Sequence, residues 1–189
     1  SVNLDTCIMN EAQVNWLFNK YSDKNISILE GVMGFYDGMD KNSSAYDVTK
    51  LLGIPTIIIL DASGSYITLS AIIKGLKTYQ DGNTIKGVVF NHVASQSHFE
   101  LIKNQVEKDF DDIEVLGWIQ NRLDTLDSTH LGLDLKDNKI EKLELMSKEV
   151  LKHIDLEKLE IIAKFKAQKI ENYPFDRVEK YDKHIAIVN

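Results

Sequence analysis

The sequence has little cysteine, few basic residues and no long apolar run. Cys7 is the single cysteine among 189 residues, which excludes an internal disulfide and fits a reducing compartment. Lys and Arg total 22 against 29 Asp and Glu, and the net charge of -7 repels phosphate backbones. No apolar run approaches the roughly 20 residues that span a bilayer, and SVNLDT has neither the basic nor the apolar region of a signal peptide. We therefore expect a cytoplasmic protein that binds neither nucleic acid nor a membrane.

What the sequence does contain is a regular alternation of apolar and amphipathic segments. Five apolar runs predict strands at residues 25–29, 55–60, 84–90, 113–119 and 184–188. Six amphipathic patterns predict helices at residues 11–21, 44–52, 65–79, 97–110, 139–154 and 156–170. Near-continuous Val, Ile and Leu are typical of strands that are covered on both faces, and strand–helix–strand spacing favours right-handed crossovers. The sequence therefore predicts an α/β fold with a parallel sheet and a helical C-terminal extension.

Three polar residues directly follow predicted strands, and ligands of parallel α/β sheets bind at that end. They are Glu30, Asp61 and Asn91. The Asn91 amide matches the donor and acceptor of an adenine edge, or it closes a local turn. Asp61 is followed by Ser63, so this pair either lines a phosphate cleft or belongs to a loop in which Ser63 or Ser65 caps the next helix.

The segment at residues 30–38, EGVMGFYDG, carries two acids and three glycines in a fixed order. Glycines allow a backbone or a phosphate to approach closely, and Mg²⁺ prefers carboxylate oxygens. Glu30 and Asp37 are therefore candidate magnesium ligands beside a nucleotide. The alternative is a turn whose acids cap a helix or face solvent.

The histidines and the cysteine show less. The five histidines have no metal-ligand spacing, which argues against zinc, and Cys7 has no accompanying His or Asn that would make it a nucleophile. His130, in STHLGL, lies after the fourth predicted strand. It either contacts an acidic substrate or makes a structural hydrogen bond.

Several motifs together resemble one family. In chain order they are NLDTCIMNEAQVNWLF, ILEGVMGFYDG, SSAYDVTKLLGIPTIIILDASG, GVVFNHV, VLGWI and STHLGL. They resemble the ATP-binding amidoligase domain of the cobyrinic acid a,c-diamide synthases, over nearly the whole chain. The resemblance implies a P-loop NTPase-like, dethiobiotin-synthetase-like three-layer fold.

The resemblance also implies a reaction and the residues that serve it. ATP and Mg²⁺ would activate two acetate carboxylates of a tetrapyrrole, and ammonia drawn from glutamine would then form the amides. Glu30 and Asp37 would be the catalytic and magnesium-binding acids. Asn91, with Asp61 and Ser63, would bind the nucleotide. A last pair, Ser128 and His130, would lie on the substrate side.

The sequence departs from the family at both ends. It contains no G-x-x-x-x-G-K-[ST] motif, and its last residues resemble only the first strand of a glutaminase domain. We therefore expect a fragment in three parts: a partial amidoligase domain (1–136), its helical extension (137–171), and a linker with the first strand of a truncated amidotransferase domain (172–189). Such a fragment is expected to be inactive alone. An uncovered edge of the sheet would favour strand slippage, swapping or a homodimer.

Two other functions stay open on the sequence alone. A nickel-sirohydrochlorin or hydrogenobyrinic acid a,c-diamide synthase shares the same motifs. A non-catalytic α/β binding module that has lost its phosphate loop would also fit.

Overall fold

The computed structural model describes residues 2–22, 26–39, 42–121, 123, 128–129, 132–133, 139–165, 170 and 172–175. The chain divides into two compact units. The first contains residues 1–52 and 166–189, and the second contains residues 53–165. Each is taken by itself below. The three-part domain division expected from the sequence stays a prediction.

The second unit holds the sheet. Its strands are β1 (Thr56–Asp61), β2 (Ile85–Val93) and β3 (Glu114–Gln120), which pair in parallel in the order β1-β2-β3. Helices α3 (Ile67–Thr78) and α4 (Gln96–Asp109) make the crossovers between them. This confirms the predicted α/β class with a parallel sheet, and the arrangement is consistent with part of a P-loop NTPase-like fold.

Apolar side chains from both the sheet and the helices fill the core of the second unit. Strands β2 and β3 are buried along most of their length, as their apolar runs predict, whereas Ile59 in β1 is 66% exposed. The largest fully buried side chains are those of Phe90, Leu69, Ile73, Ile85, Ile102 and Leu116. The strand order places β1 at an edge of the described sheet, and the exposure of Ile59 shows that the described residues leave this part of one face uncovered.

The C-terminal part of the second unit returns to the sheet. A short hairpin of β4 (Ser128–Thr129) and β5 (Gly132–Leu133) precedes helices α5 (Lys139–His153) and α6 (Leu156–Ile162), and both helices contact β3. The predicted helix over residues 156–170 is too long, because α6 ends at Ile162 and a turn follows it. None of the helices in the described ranges is long and apolar enough to cross a membrane.

The first unit contains α1 (Glu11–Tyr21) and α2 (Ala45–Leu52). Asn10 starts α1 through a capping box with Gln13, in which each side chain accepts from the other residue's backbone N–H at 3.0 Å. The Trp16 ring meets the rings of Tyr173 and Phe175 edge-on, with centroids 4.9 and 5.7 Å apart. The segment predicted as a linker thus packs on α1.

The predicted strand at residues 25–29 is wrong for the part that the structure describes. Residues 26–29 are irregular, and Ile26 and Ile28 are 75% and 89% exposed. A parallel strand needs a neighbour that accepts and donates backbone hydrogen bonds, and no described strand pairs with this segment. Apolar composition alone therefore does not make it a strand. The last predicted strand, 184–188, lies outside the described residues.

Candidate functional site

The carboxyl end of the sheet brings three of the predicted site residues together. Strands β1 and β2 are in register so that Asp61 stands directly beside Asn91, and Ser63 follows in the loop after β1. Backbone pairing between the two segments continues one residue past β1, because the Ala62 N–H donates to the Asn91 carbonyl at 2.8 Å. The adjacency follows from parallel pairing, in which the carboxyl ends of neighbouring strands meet at one edge.

Asp61 is the centre of a small hydrogen-bond network. Its Oδ1 accepts from the Ser63 hydroxyl at 2.6 Å and from the Ser63 backbone N–H at 2.8 Å. Its Oδ2 lies 3.2 Å from Nδ1 of His92. The Ser63 hydroxyl, the Ser63 N–H and His92, in that order of effect, lower the pKa of Asp61 to about 2. The carboxylate therefore stays ionised at any physiological pH.

Asn91 is oriented by its own backbone. Its Oδ1 accepts from the His92 N–H at 2.9 Å, and since only the oxygen can accept, this bond fixes which way the amide faces. Among the described residues, no hydrogen bond to the Asn91 NH₂ group is found. The local turn and the ligand contact considered from the sequence are therefore compatible, because the turn uses only one lone pair of the oxygen.

The expectation that Ser63 or Ser65 caps the following helix is wrong. Helix α3 begins at Ile67, and its N-cap residue, Tyr66, makes no side-chain capping bond. The Ser63 hydroxyl is used by Asp61, and the Ser65 carbonyl lies 2.6 Å from Nε2 of His98. The Ser63 hydroxyl donates to Asp61 at 2.6 Å and the Ser65 hydroxyl donates to the Ser63 carbonyl at 3.5 Å, so the two serines stabilise the loop and not α3.

Glu30 and Asp37 belong to the first unit, and both are exposed. A turn joins Gly34 to Asp37, whose N–H donates to the Gly34 carbonyl at 2.9 Å. A Cβ on Gly34 would collide with Oδ2 of Asp37, and a Cβ on Gly38 would lie 2.8 Å from the carbonyl carbon of Ser43. Because these glycines have no side chain, the Asp37 carboxylate lies close to Gly34 and the Ser43 backbone lies close to Gly38, all within the same unit.

The structure leaves the metal prediction as it stood. No group of three His, Cys, Asp or Glu side chains comes close enough to hold a metal ion in the described ranges. Glu30 and Asp37 would supply two carboxylates, and Mg²⁺ usually keeps several waters beside one or two such ligands. Asp61 is a poorer candidate metal ligand, because three hydrogen-bond donors already surround its carboxylate oxygens.

The last two predicted residues fall at the margin of the described chain. Ser128 lies in β4, of which the structure describes only the backbone. His130 lies outside the described residues. Their proposed place on the substrate side stays a prediction.

One residue at this edge was not among the site residues predicted from the sequence. His92 is the direct neighbour of Asn91 and binds Asp61, and neither metal-ligand spacing nor the family motifs singled it out. The pattern that could have indicated it is its position directly after the strand-end Asn91 in FNHV. The contact itself depends on pairing between β1 and β2, which no local pattern shows.

Comparison with known proteins finds relatives that share one name. A protein of Saccharolobus solfataricus named cobyrinate a,c-diamide synthase is 38% identical over 164 residues, which are 84% of this chain and 37% of that protein. Proteins of the same name from Fusobacterium nucleatum and Methanocaldococcus jannaschii are 37% and 35% identical over 86% and 99% of the chain. Over most of its length, this chain is similar to part of the cobyrinate a,c-diamide synthases.

The match covers only part of each family member. The chain spans about two fifths of the length of the curated relatives, 37%, 38% and 44% for the three named. No family model matches the chain, and no solved structure matches it. The likeness to the cobyrinate a,c-diamide synthases therefore depends on the sequence identity.

Proposed function

We propose that the chain supplies the adenine-binding site of an ATP-dependent amidoligase, at the carboxyl end of its sheet. The amidoligase converts two carboxylates of cobyrinic acid to amides. The relatives' shared name gives the reaction, and the observation that carries the site is the register that sets Asn91 beside Asp61. Glutamine, through ammonia, would supply the nitrogen. The tetrapyrrole is the proposed substrate.

Each residue has a distinct part in this proposal. The Asn91 NH₂ group donates to an adenine ring nitrogen, and the second lone pair of Oδ1 accepts from the exocyclic amine. Asp61 holds the loop after β1 in place through Ser63, so that this edge stays shaped before the nucleotide arrives. The preformed loop lowers the entropic cost of binding.

Mg²⁺ would be held by Glu30 and Asp37, the two exposed carboxylates of the glycine-rich segment. When bound, it neutralises charge on the transferring phosphoryl group. We expect no ATP hydrolysis from this chain alone, because the sequence contains no G-x-x-x-x-G-K-[ST] loop whose N–H groups would cradle the β- and γ-phosphates.

The nucleotide proposal is tested by calorimetric titration of the chain with Mg-ATP and Mg-GTP. We expect ATP to bind more tightly than GTP, and Asn91→Ala to weaken ATP about tenfold, the effect of about 1.4 kcal/mol that one polar contact can carry. Asn104→Ala, an exposed change on α4 in the same unit, is the matched control and should leave both affinities unchanged. Equal binding of ATP and GTP would refute adenine recognition by Asn91.

The activity proposal has its own assay. The chain is incubated with cobyrinic acid, Mg-ATP and ammonia, and the corrinoid is then analysed by mass spectrometry. We expect no amide product and no phosphate release. Corrinoid-dependent phosphate release by the chain would show that it needs no phosphate-binding loop.

A further inference from the structure

A β-bulge lies at the carboxyl end of β2. Phe90 pairs with Trp118 and Val93 pairs with Gln120, so two residues of β2, Asn91 and His92, stand opposite the single residue between those partners on β3. Bulges interrupt the alternation of side chains between the two faces of a sheet, and they re-aim a side chain. The bulge therefore decides where the His92 imidazole goes.

His92 is also held in an unfavourable backbone conformation. Its φ is +57°, in the left-handed region that costs free energy for any residue with a Cβ. Asn42 is the other non-glycine residue with positive φ among those described. A strained residue persists when surrounding contacts over-determine it, and here the contact is with Asp61.

The result of the bulge is a carboxylate–imidazole pair at the site edge. In an undistorted strand, adjacent side chains point to opposite faces, so His92 would point away from the face of Asn91 and its register partner, Asp61. Instead, Nδ1 of His92 lies 3.2 Å from Oδ2 of Asp61, while about half of the His92 side chain stays exposed. With Nδ1 directed to the carboxylate, Nε2 is the ring atom available to a ligand.

We propose that His92 is a ligand-contacting residue of this site, positioned by Asp61, whose Nε2 meets a ribose hydroxyl or a phosphate oxygen of the nucleotide bound at Asn91. The inference rests on the proposed nucleotide function, since it places the two contacts on one ligand. Both kinds of oxygen suit Nε2. With the Nδ1 proton directed to Asp61, Nε2 of the neutral ring accepts from a ribose hydroxyl, whereas Nε2–H of the protonated ring donates to a phosphate oxygen. Asp61 fixes the ring by accepting from Nδ1, as carboxylates that orient catalytic and ligand-binding histidines do.

The test separates the backbone strain at His92 from its contact with the ligand. Removing the strain should raise the melting temperature, and removing the contact should weaken ATP binding. His92→Gly removes both the imidazole and the left-handed strain, so we expect a higher melting temperature together with at least tenfold weaker ATP binding by calorimetry. His92→Asn tolerates the same φ and serves as the second variant, with the same loss of affinity and an unchanged melting temperature. Adenosine separates the two oxygen sources: an equal loss with adenosine assigns the ribose, and a loss with ATP alone assigns the phosphates.

Asp61 is tested by a signature that a merely structural role would not move. In ¹⁵N spectra of the imidazole, we expect neutral His92 to carry its proton on Nδ1 in the wild type and to shift toward the Nε2 tautomer in Asp61→Asn. Tight ATP binding by both His92 variants would overturn the ligand contact and leave the nucleotide function standing. Absence of ATP and adenosine binding in the wild type would overturn both. An unchanged tautomer in Asp61→Asn would overturn the positioning role.

Discussion

Gly117 in β3 is the position where one added methyl group should damage the fold most. Its φ is +141°, a region that is nearly exclusive to glycine, and a Cβ there would overlap the His153 carbonyl oxygen and lie 2.9 Å from the carbonyl carbon. The chain crosses β3 at this point: Ile154 forms an antiparallel bridge with Gly117, and Asp155 N–H donates to Leu116 at 2.7 Å.

The size of the effect follows from two separate costs. The unfavourable φ costs about 1–3 kcal/mol for a residue with a Cβ. Forcing a methyl group against the backbone at the end of α5 costs a further ~1–3 kcal/mol, since backbone cannot rotate away as a side chain can. We therefore expect Gly117→Ala to lower the free energy of unfolding by about 2–6 kcal/mol, a large share of the roughly 5–15 kcal/mol of a typical domain.

The assay is urea denaturation of both proteins, followed by far-ultraviolet circular dichroism, with thermal melting as a second measurement. Gly75→Ala is the matched control, because Gly75 lies inside α3 with nothing within 4 Å of the added Cβ. We expect it to stabilise by about 0.5–1 kcal/mol through helix propensity. A Gly117→Ala protein within about 1 kcal/mol of the wild type would refute the close crossing of the backbone over β3.

Three further predictions concern single groups. Gly38→Ala should lower the stability by about 1–3 kcal/mol in thermal melting, because the Cβ would press on the Ser43 backbone; an unchanged melting temperature would show that the loop yields freely. The Asp61 carboxyl should titrate near pH 2 in an NMR pH series, against 3.8 for a free carboxyl. Because its folded pKa is depressed, its stabilising bonds are present above about pH 4 and are lost as the pH falls toward 2; titration near 4 would contradict the network with Ser63 and His92. Ser95→Ala should cost about 1 kcal/mol in urea denaturation, because its side chain accepts from the backbone N–H at the start of α4; a variant as stable as the wild type would show that the cap is dispensable.

Periodicity and helix-end signals were enough to predict most elements. The bounds of α1 match the prediction, those of α2, α3, α4 and α5 differ by one or two residues, and the three strands of the sheet appear where apolar runs were found. These features are local, since an amphipathic stripe or an apolar run with a turn beyond it is visible in one segment. Predicting that Asp61 and Asn91 share an edge needed only the further rule that parallel strands end together.

Where the sequence prediction failed, the availability of hydrogen-bond partners decided the outcome. The apolar segment at 26–29 has the composition of a strand, yet without a paired neighbour among the described residues it stays irregular. The serines after β1 have the composition of a helix cap, yet the Asp61 carboxylate takes the Ser63 hydroxyl first. Both outcomes depend on competition for hydrogen-bond partners, which composition does not reveal.

The amino-acid sequence was enough to predict the class of the fold, most of its elements in their order, the lack of an internal disulfide and, through its motifs, the resemblance to the cobyrinic acid a,c-diamide synthases. Tertiary structure alone decided that a bulge turns His92 toward Asp61, and that a glycine is needed where the end of α5 meets β3. The physical reason is the same for both. Each depends on a distance between segments far apart in the chain, and only the packed sheet brings those segments together.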